Sequence, residues 1–295
     1  MNNRAQRLLS LGRLTAVAAN TFMGLTRLKI FYVLLLFGLV LIGSSVLMAQ
    51  MTFQQEFQVL KDVALGAMSL FTSLLAVIAT ARLVPQEIED RTAYTVLAKP
   101  VSRFEYLAGK LFGVLFLLAL SLIAMSALFF LVLVLREQSV LGETARQMRT
   151  APTEQRAEAL RLIRASAFNP NLFSGVALIY AKACLLAALT LFISTFATST
   201  IFTMIVMAFV YFIGHLQPIA REYWLQTNGT GWLTKTFLAV VALLFPDLQS
   251  FNLTDDLAAG NAIPLEVLLK TLAMGVFYIA FYLALAWAAF FRKEL

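Results

Sequence analysis

Charge is scarce in this chain. Of its 295 residues, 13% are Asp, Glu, Lys or Arg, about half the share of an ordinary globular domain. So few charges cannot cover the surface of a soluble fold of this size. Cysteine and histidine are scarcer still, with one of each, Cys184 and His215. A single cysteine cannot close an intrachain disulfide, and it lacks companions for a metal site. Cys184 lies inside an apolar block and reads as a small buried residue. A single histidine excludes a His-rich metal centre and an HExxH motif. His215 sits toward the outer end of an apolar block and reads as a helix-end interfacial residue. Asp255 and Asp256 adjoin, but no third ligand is placed by spacing, so they read as a solvated turn. No metal site is expected, and no catalytic residue stands out. Nor is there a basic platform interleaved with aromatics for single-stranded nucleic acid.

Apolar residues are what the chain has in quantity: 60% of it is hydrophobic, and the mean hydropathy is +0.82. They come in long blocks, and about 18 or more apolar residues with few charges make a candidate membrane span. Ile30–Ala49, Val63–Val84, Leu111–Leu135, Gly175–Thr198, Thr200–Gln217 and Leu265–Phe291 meet that criterion. The first is about 20 residues, longer than the roughly 7–15 of a signal-peptide core, so it is read as a retained span. A seventh piece, Phe237–Phe245, is about half the length needed to cross and ends at Pro246. It is expected to be re-entrant or interfacial, and backbone off the helix at that depth needs protein cover. No internal repeat or low-complexity linker divides the chain, so residues 1–295 form one domain. The fold class is all-α, a polytopic membrane protein with six transmembrane helices.

The net charge of +7 is carried by residues flanking the apolar blocks, as at the cytoplasmic ends of membrane helices. Arg4, Arg7, Arg13, Arg27 and Lys29 precede the first span. Arg82, Arg91, Lys99, Arg103 and Lys110 surround the connection between spans two and three, and Arg292 and Lys293 follow the last. Six spans put these on one side, assigned as cytoplasmic, with both termini there and the protein in the cytoplasmic (inner) membrane. Residues before the first span form an amphipathic stretch, with Leu8, Leu11, Val17, Phe22 and Leu25 on one side. This predicts an interfacial helix along the inner leaflet. The outer connection 136–174 also carries many arginines, diluted by Glu137, Glu143, Glu154 and Glu158. A helix is expected over about 152–165 with Pro152 at its start, as a small helical insertion. It serves equally as an external lid or partner contact and as a solvated cap.

The segment from Pro85 to Lys110 carries the most information. Pro85 suits a helix start, and Glu87, Glu89 and Asp90 favour the positive end of that helix. Glu87 and Arg91 are spaced i,i+4. Pro100 stops the helix and biases Lys99 away from α geometry. Ser102 followed by Glu105 is a capping-box pattern that starts a second helix. If that helix runs unbroken from Arg103 to Leu135, it is about 50 Å long, against a hydrocarbon core of about 30 Å. Span three then has a stiff foot outside the membrane. Gly109 and Gly113 form a GxxxG pair on it that allows close approach of another helix. Short helix, proline elbow and foot together make a lever.

The run Glu87-Ile-Glu-Asp-Arg-Thr, then Leu97-Ala-Lys-Pro-Val-Ser-Arg103, then Gly109-Lys110, resembles the segment after the second span in type 2 ABC exporter permeases. The six-span plan, the interfacial N-terminal helix and the short re-entrant piece fit the same family. The resemblance implies that the elbow is a cytoplasmic coupling helix gripped by separate ABC ATPase subunits. It implies a dimer with a second permease copy or paralogue, in contact with membrane lipid and open to an extracytoplasmic accessory protein. Glu87, Glu89, Asp90, Arg91, Lys99, Arg103 and Glu105 are then the candidate coupling contacts, with Pro100 and Ser102 shaping the surface. The outer segment 136–174 is longer than the minimal family plan. Gly109-Lys110 is no phosphate-binding loop: Phe104 stands where the first glycine is required and Leu111 where Ser or Thr is required. ATP and Mg therefore belong to the partner, and this chain needs no cofactor.

Lys182 is the one charge well inside a span, and such charges are costly and often functional. It is a candidate intramembrane polar site, and a snorkelling lysine is the alternative. The favoured function is the transmembrane subunit of an ATP-binding cassette transporter, itself not an enzyme, that exports or extracts a substrate. The other class is a non-transporting scaffold, membrane-complex subunit or membrane enzyme, but the spans offer little convergent polar chemistry beyond Lys182.

Overall fold

Each of the six long apolar blocks is a helix in the computed structural model, which describes residues 10–50, 55–89, 102–150, 152–226, 245–252 and 263–291, with residues 236 and 257 beside them. The helices are α1 (Leu11–Thr26), α2 (Lys29–Gln50), α3 (Glu56–Ala81), α4 (Pro85–Glu89), α5 (Arg103–Gln147), α6 (Thr153–Ala167), α7 (Asn171–Phe196), α8 (Thr200–Gln226) and α9 (Leu265–Phe291). Among the described residues there is no strand. Six helices, α2, α3, α5, α7, α8 and α9, are long and apolar enough to cross a membrane. The protein is thus an all-α, multi-pass membrane protein, as the block lengths require. The apolar piece ending at Phe245 lies outside the described residues, apart from Phe245 itself.

α7 occupies the centre because of its composition. Its sequence is apolar on all sides, the mark of a helix buried all round. Residues 182–191 are buried without interruption. α3, α5 and α9 pack around it. α2 covers α3 and α5 at the edge and leaves Leu36, Phe37 and Val40 exposed, as a lipid-facing surface should be. Hydroxyls inside the bundle turn back on their own helices. Thr72 Oγ1 donates to the Met68 carbonyl at 2.6 Å, Ser121 Oγ to Leu117 at 2.8 Å and Thr190 Oγ1 to Leu186 at 2.6 Å. Each is satisfied locally, which a medium without water demands.

α5 exceeds the expected span at both ends. Its foot begins at Arg103, as the capping box predicts. At the far end it continues past Leu135 to Gln147, because no proline interrupts the charged residues that follow. There Arg136 Nη2 meets Glu56 Oε2 of α3 at 2.7 Å. Next to it the buried Lys61 donates to the Ser166 carbonyl at 2.6 Å, which places a cation at the C-terminal end of α6. The expected outer helix over 152–165 is α6, with Pro152 as its N-cap.

The GxxxG pair has a definite partner. A Cβ at Gly113 would stand 2.7 Å from the Ala18 carbonyl oxygen, and one at Gly109 would stand 2.8 Å from Val17 Cβ. The foot of α5 and α1 therefore touch backbone to backbone, with Val17, Thr21 and Leu25 of α1 on one side of the helix at i, i+4 and i+8 spacing. Thr21 and Leu25 are buried, and Phe22 meets Phe116 edge-on at 4.9 Å.

Replacing Gly113 with Leu should force α1 off the foot, since the obstacle is main chain. A loss of about 1–3 kcal/mol is expected from overpacking, read as a lower melting temperature in detergent. Gly142→Ala on the same helix meets nothing within 4 Å and should leave melting unchanged or slightly raised.

Candidate functional site at the foot of the third span

Ser102 is the N-cap of α5, with φ −71° and ψ 149°. Its hydroxyl accepts from the Glu105 amide at 3.1 Å, and Glu105 Oε2 accepts from the Ser102 amide at 2.9 Å. The capping box read from the spacing is therefore complete. The second carboxylate oxygen does more than the motif required. Oε1 accepts from the Ser10 amide at 2.7 Å and from Arg13 Nη2 at 2.9 Å and Nε at 3.3 Å. Ser10 is the N-cap of α1. One carboxylate thus sits at the positive ends of two helices and against a guanidinium. Glu105 is only 1% exposed, and these donors offset the cost of burying its charge.

Arg103, beside it, points to the other end of the chain. Its Nη1 donates to the carbonyls of Phe290 and Phe291 at 2.7 and 2.9 Å, and the guanidinium lies 5.8 Å from the centre of each of those rings. A cation thus meets the negative end of α9. Tyr106 stacks on Phe290 at 5.9 Å and Phe104 meets Trp287 edge-on at 6.3 Å.

The third tie runs to α4. Glu87 accepts from the Tyr106 hydroxyl and from Lys110 Nζ. Lys110 is buried, and its ammonium also lies 5.0 Å from the Tyr106 ring centre. Within two turns, the foot of α5 is fastened to α1 through Glu105, to α9 through Arg103 and to α4 through Tyr106 and Lys110.

These positions sort the candidate coupling residues. Glu105 is buried and Glu87 and Arg103 are half-buried, each fastening one helix to another, while Ser102 is exposed and caps α5, and Glu89 is exposed at the end of α4. Asp90, Arg91, Lys99 and Pro100 lie outside the described residues. Gly109 and Gly113 form the seat of α1. The inward roles of Arg103 and Glu105 went unseen in sequence, because Ser10 and Glu105 are 95 positions apart and Arg103 and Phe290 are 187 apart. Chemically, the cluster can hold and transmit position. Among the described residues, no group of three or more His, Cys, Asp or Glu could hold a metal ion.

Lys182 lies elsewhere, near the middle of α7 and only 2% exposed. It does not snorkel. Its ammonium donates to His215 Nε2 at 3.1 Å and reaches Ser69 Oγ at 3.4 Å, with the Tyr211 ring centre 5.5 Å away. His215 Nδ1 faces the Tyr211 carbonyl at 2.8 Å. A carbonyl can only accept, so Nδ1 carries the proton and Nε2 is free to accept from the lysine. His215 is therefore a partner of Lys182 in α8, joined through it to Ser69 of α3, and not the interfacial helix-end residue expected from sequence. The available signal was that Lys182 is the one charge in its apolar block and His215 the one histidine of the chain, in the block that follows.

Residues 21–150 match the family model described as ABC-2 family transporter protein. Those residues are thus an ABC-2 type permease region. The match covers a little under half of the chain and takes in α2 to α5 with the fastened foot; Lys182, His215 and α6 lie beyond it. No curated protein gives a significant match to the chain. A permease of this family is the membrane subunit of an ABC transporter and associates with ABC ATPase subunits.

A double-mutant cycle tests the foot. Glu105→Gln should cost about 3 kcal/mol, because the negative charge between two helix starts and a guanidinium is lost and one of its two acceptor oxygens becomes an NH2 group facing other donors. Arg13→Ala should cost less, and the pair should couple by at least about 1 kcal/mol. Thermal or denaturant unfolding in detergent provides the measure, and additive effects would rule out a shared carboxylate.

Proposed function

We propose that this permease uses ATP hydrolysed on separate ABC ATPase subunits to export a substrate across the cytoplasmic membrane, or to extract one from it. The observation that carries the reading is the three-way fastening of the α5 foot. A load on α4 or on the elbow after it reaches α5 through Glu87, Tyr106 and Lys110, reaches α1 through Glu105 and reaches α9 through Arg103. Three helices then move with the foot as one body.

Docking belongs at this end of the bundle. Arg13, Arg27, Lys29, Arg82, Arg103 and Lys110 all lie there, and the positive-inside tendency supports assigning it to the cytoplasm, with both termini. Glu89 is exposed beside the elbow and is the described residue best placed to meet a partner directly. Asp90, Arg91, Lys99 and Pro100 complete the proposed contact, with ATP and Mg bound on the ATPase. A second permease copy or paralogue would complete the translocation path between the two. The outer helix α6 is the natural contact for an accessory protein.

Charge reversal at Glu89 and Lys99 should abolish co-purification of the cognate ATPase while membrane insertion and melting stay normal. An unchanged pull-down would sink the assignment of this surface. Reversal at Arg103 is a poor test, because it also uncaps α9.

A further inference from the structure

Arg82 closes α3 at the foot end of the bundle. Its Nε and Nη2 donate to Gln86 Oε1 at 3.2 and 3.0 Å. Among the described residues no carboxylate forms an ion pair with it. Two clefts meet at this guanidinium. One, of about 450 Å³, lies between α1 and the start of α4 and includes Asn20, Arg27, Gln86, Glu87 and Lys110 in its walls. Glu87 is already engaged by Lys110, so Arg27 and Arg82 are the excess charge there. The other, of about 380 Å³, has Ile78, Arg82, Gln86, Glu89 and Met204 in its walls. Its carboxylate, Glu89, repels an anion and directs it toward the Arg27 side.

The second cleft runs on into an apolar groove. Ile78 and Met204 border both, and the groove, about 400 Å³, continues between α3 and α8 past Leu74, Ala208 and Phe212 to Leu70. It opens sideways: Leu70, Leu74 and Phe212 are 49%, 42% and 65% exposed. From Leu70 to Arg82 the α3 helix rises about 18 Å. Half of the hydrocarbon core is about 15 Å. The groove is therefore one leaflet deep, with a guanidinium at headgroup height and an apolar wall below it.

We infer that this groove holds one anionic phospholipid from the foot-side leaflet. Its phosphate lies against Arg82 and Arg27, and an acyl chain lies along Leu74, Ile78, Met204 and Ala208. Guanidinium suits phosphate through paired N–H donors, and basic pockets between membrane helices at the cytoplasmic face select anionic headgroups. The inference does not depend on ATPase docking, since it concerns the permease alone.

The test uses the full-length permease, delipidated in mild detergent and titrated with phosphatidylglycerol or phosphatidylcholine of matched chains, with bound lipid counted by native mass spectrometry. Phosphatidylglycerol should bind about tenfold or more tighter than phosphatidylcholine, the scale of a charge-assisted phosphate contact. Arg82→Gln should remove that preference and Arg82→Lys should restore part of it. Ala208→Trp, which fills the groove, should weaken both lipids alike. Arg161→Gln on α6 should change nothing. Melting curves identify any variant that fails to fold, and Arg82→Lys with Ala208→Trp then carries the result. Equal binding of the two lipids, or no effect of Arg82→Gln, would overturn the inference. Displacement of phosphatidylglycerol by equimolar inorganic phosphate would assign the site to a free anion instead. A loss of self-association in Ala208→Trp with lipid binding intact would assign the groove to a second copy of the chain.

Discussion

A single buried carboxylate organises the foot of the third span. Glu105 satisfies the amide of its own helix cap, the amide at the cap of α1 and the guanidinium of Arg13. Helix starts leave amides without intrahelical partners, and two such starts brought together would ordinarily repel through their positive ends. An anion between them reverses the sign of that interaction. With α1 held there, Gly109 and Gly113 let it lie flat on α5, and the cleft beside Arg82 acquires its second wall. At the same level Arg103 supplies a cation to the end of α9. The foot thus matches an anion to helix beginnings and a cation to a helix ending within three residues of sequence.

Much of this was legible in the amino-acid order. Six spans follow from the length of the apolar blocks, because a bilayer sets a minimum that soluble helices need not meet. The capping box follows from Ser102 and Glu105 being three apart, and close helix contact follows from Gly109 and Gly113 being four apart, since both signals are local. What stayed hidden is long-range. Nothing near Glu105 announces Ser10, nothing near Arg103 announces Phe290, and His215 reads as an interfacial residue until α7 and α8 are set side by side. The end of α5 was placed too early for a different reason. Hydropathy reports where the bilayer stops, whereas the helix stops only where the backbone is interrupted.

Lys182 shows how a bilayer interior restricts chemistry. A lone ammonium there has no water to retreat to, and its surroundings consist of a neutral imidazole, a hydroxyl and an aromatic face. Each is a weak acceptor, and together they span α3, α7 and α8. The arrangement ties three helices at a depth where apolar packing alone gives little directional preference, since lipid tails are as apolar as side chains. Thr72 and Thr190 make no such ties, because their hydroxyls are spent on their own helices.

The unbroken length of α5 has a mechanical consequence. Forty-five residues make a rod of about 68 Å, more than twice the hydrocarbon thickness of about 30 Å. A rod that overhangs a thin support on both sides behaves as a seesaw. A tilt of about 5° displaces one tip relative to the other by about 6 Å, close to one helical pitch. The far arm is not free: Arg136, about 16 Å short of its tip, holds it to Glu56 of α3, and Lys61 ties the neighbouring α6 to α3 as well. The overhang on the side away from the foot therefore acts as a counter-arm, and any swing of the foot must be answered there by sliding or breaking contacts more than a membrane's thickness away.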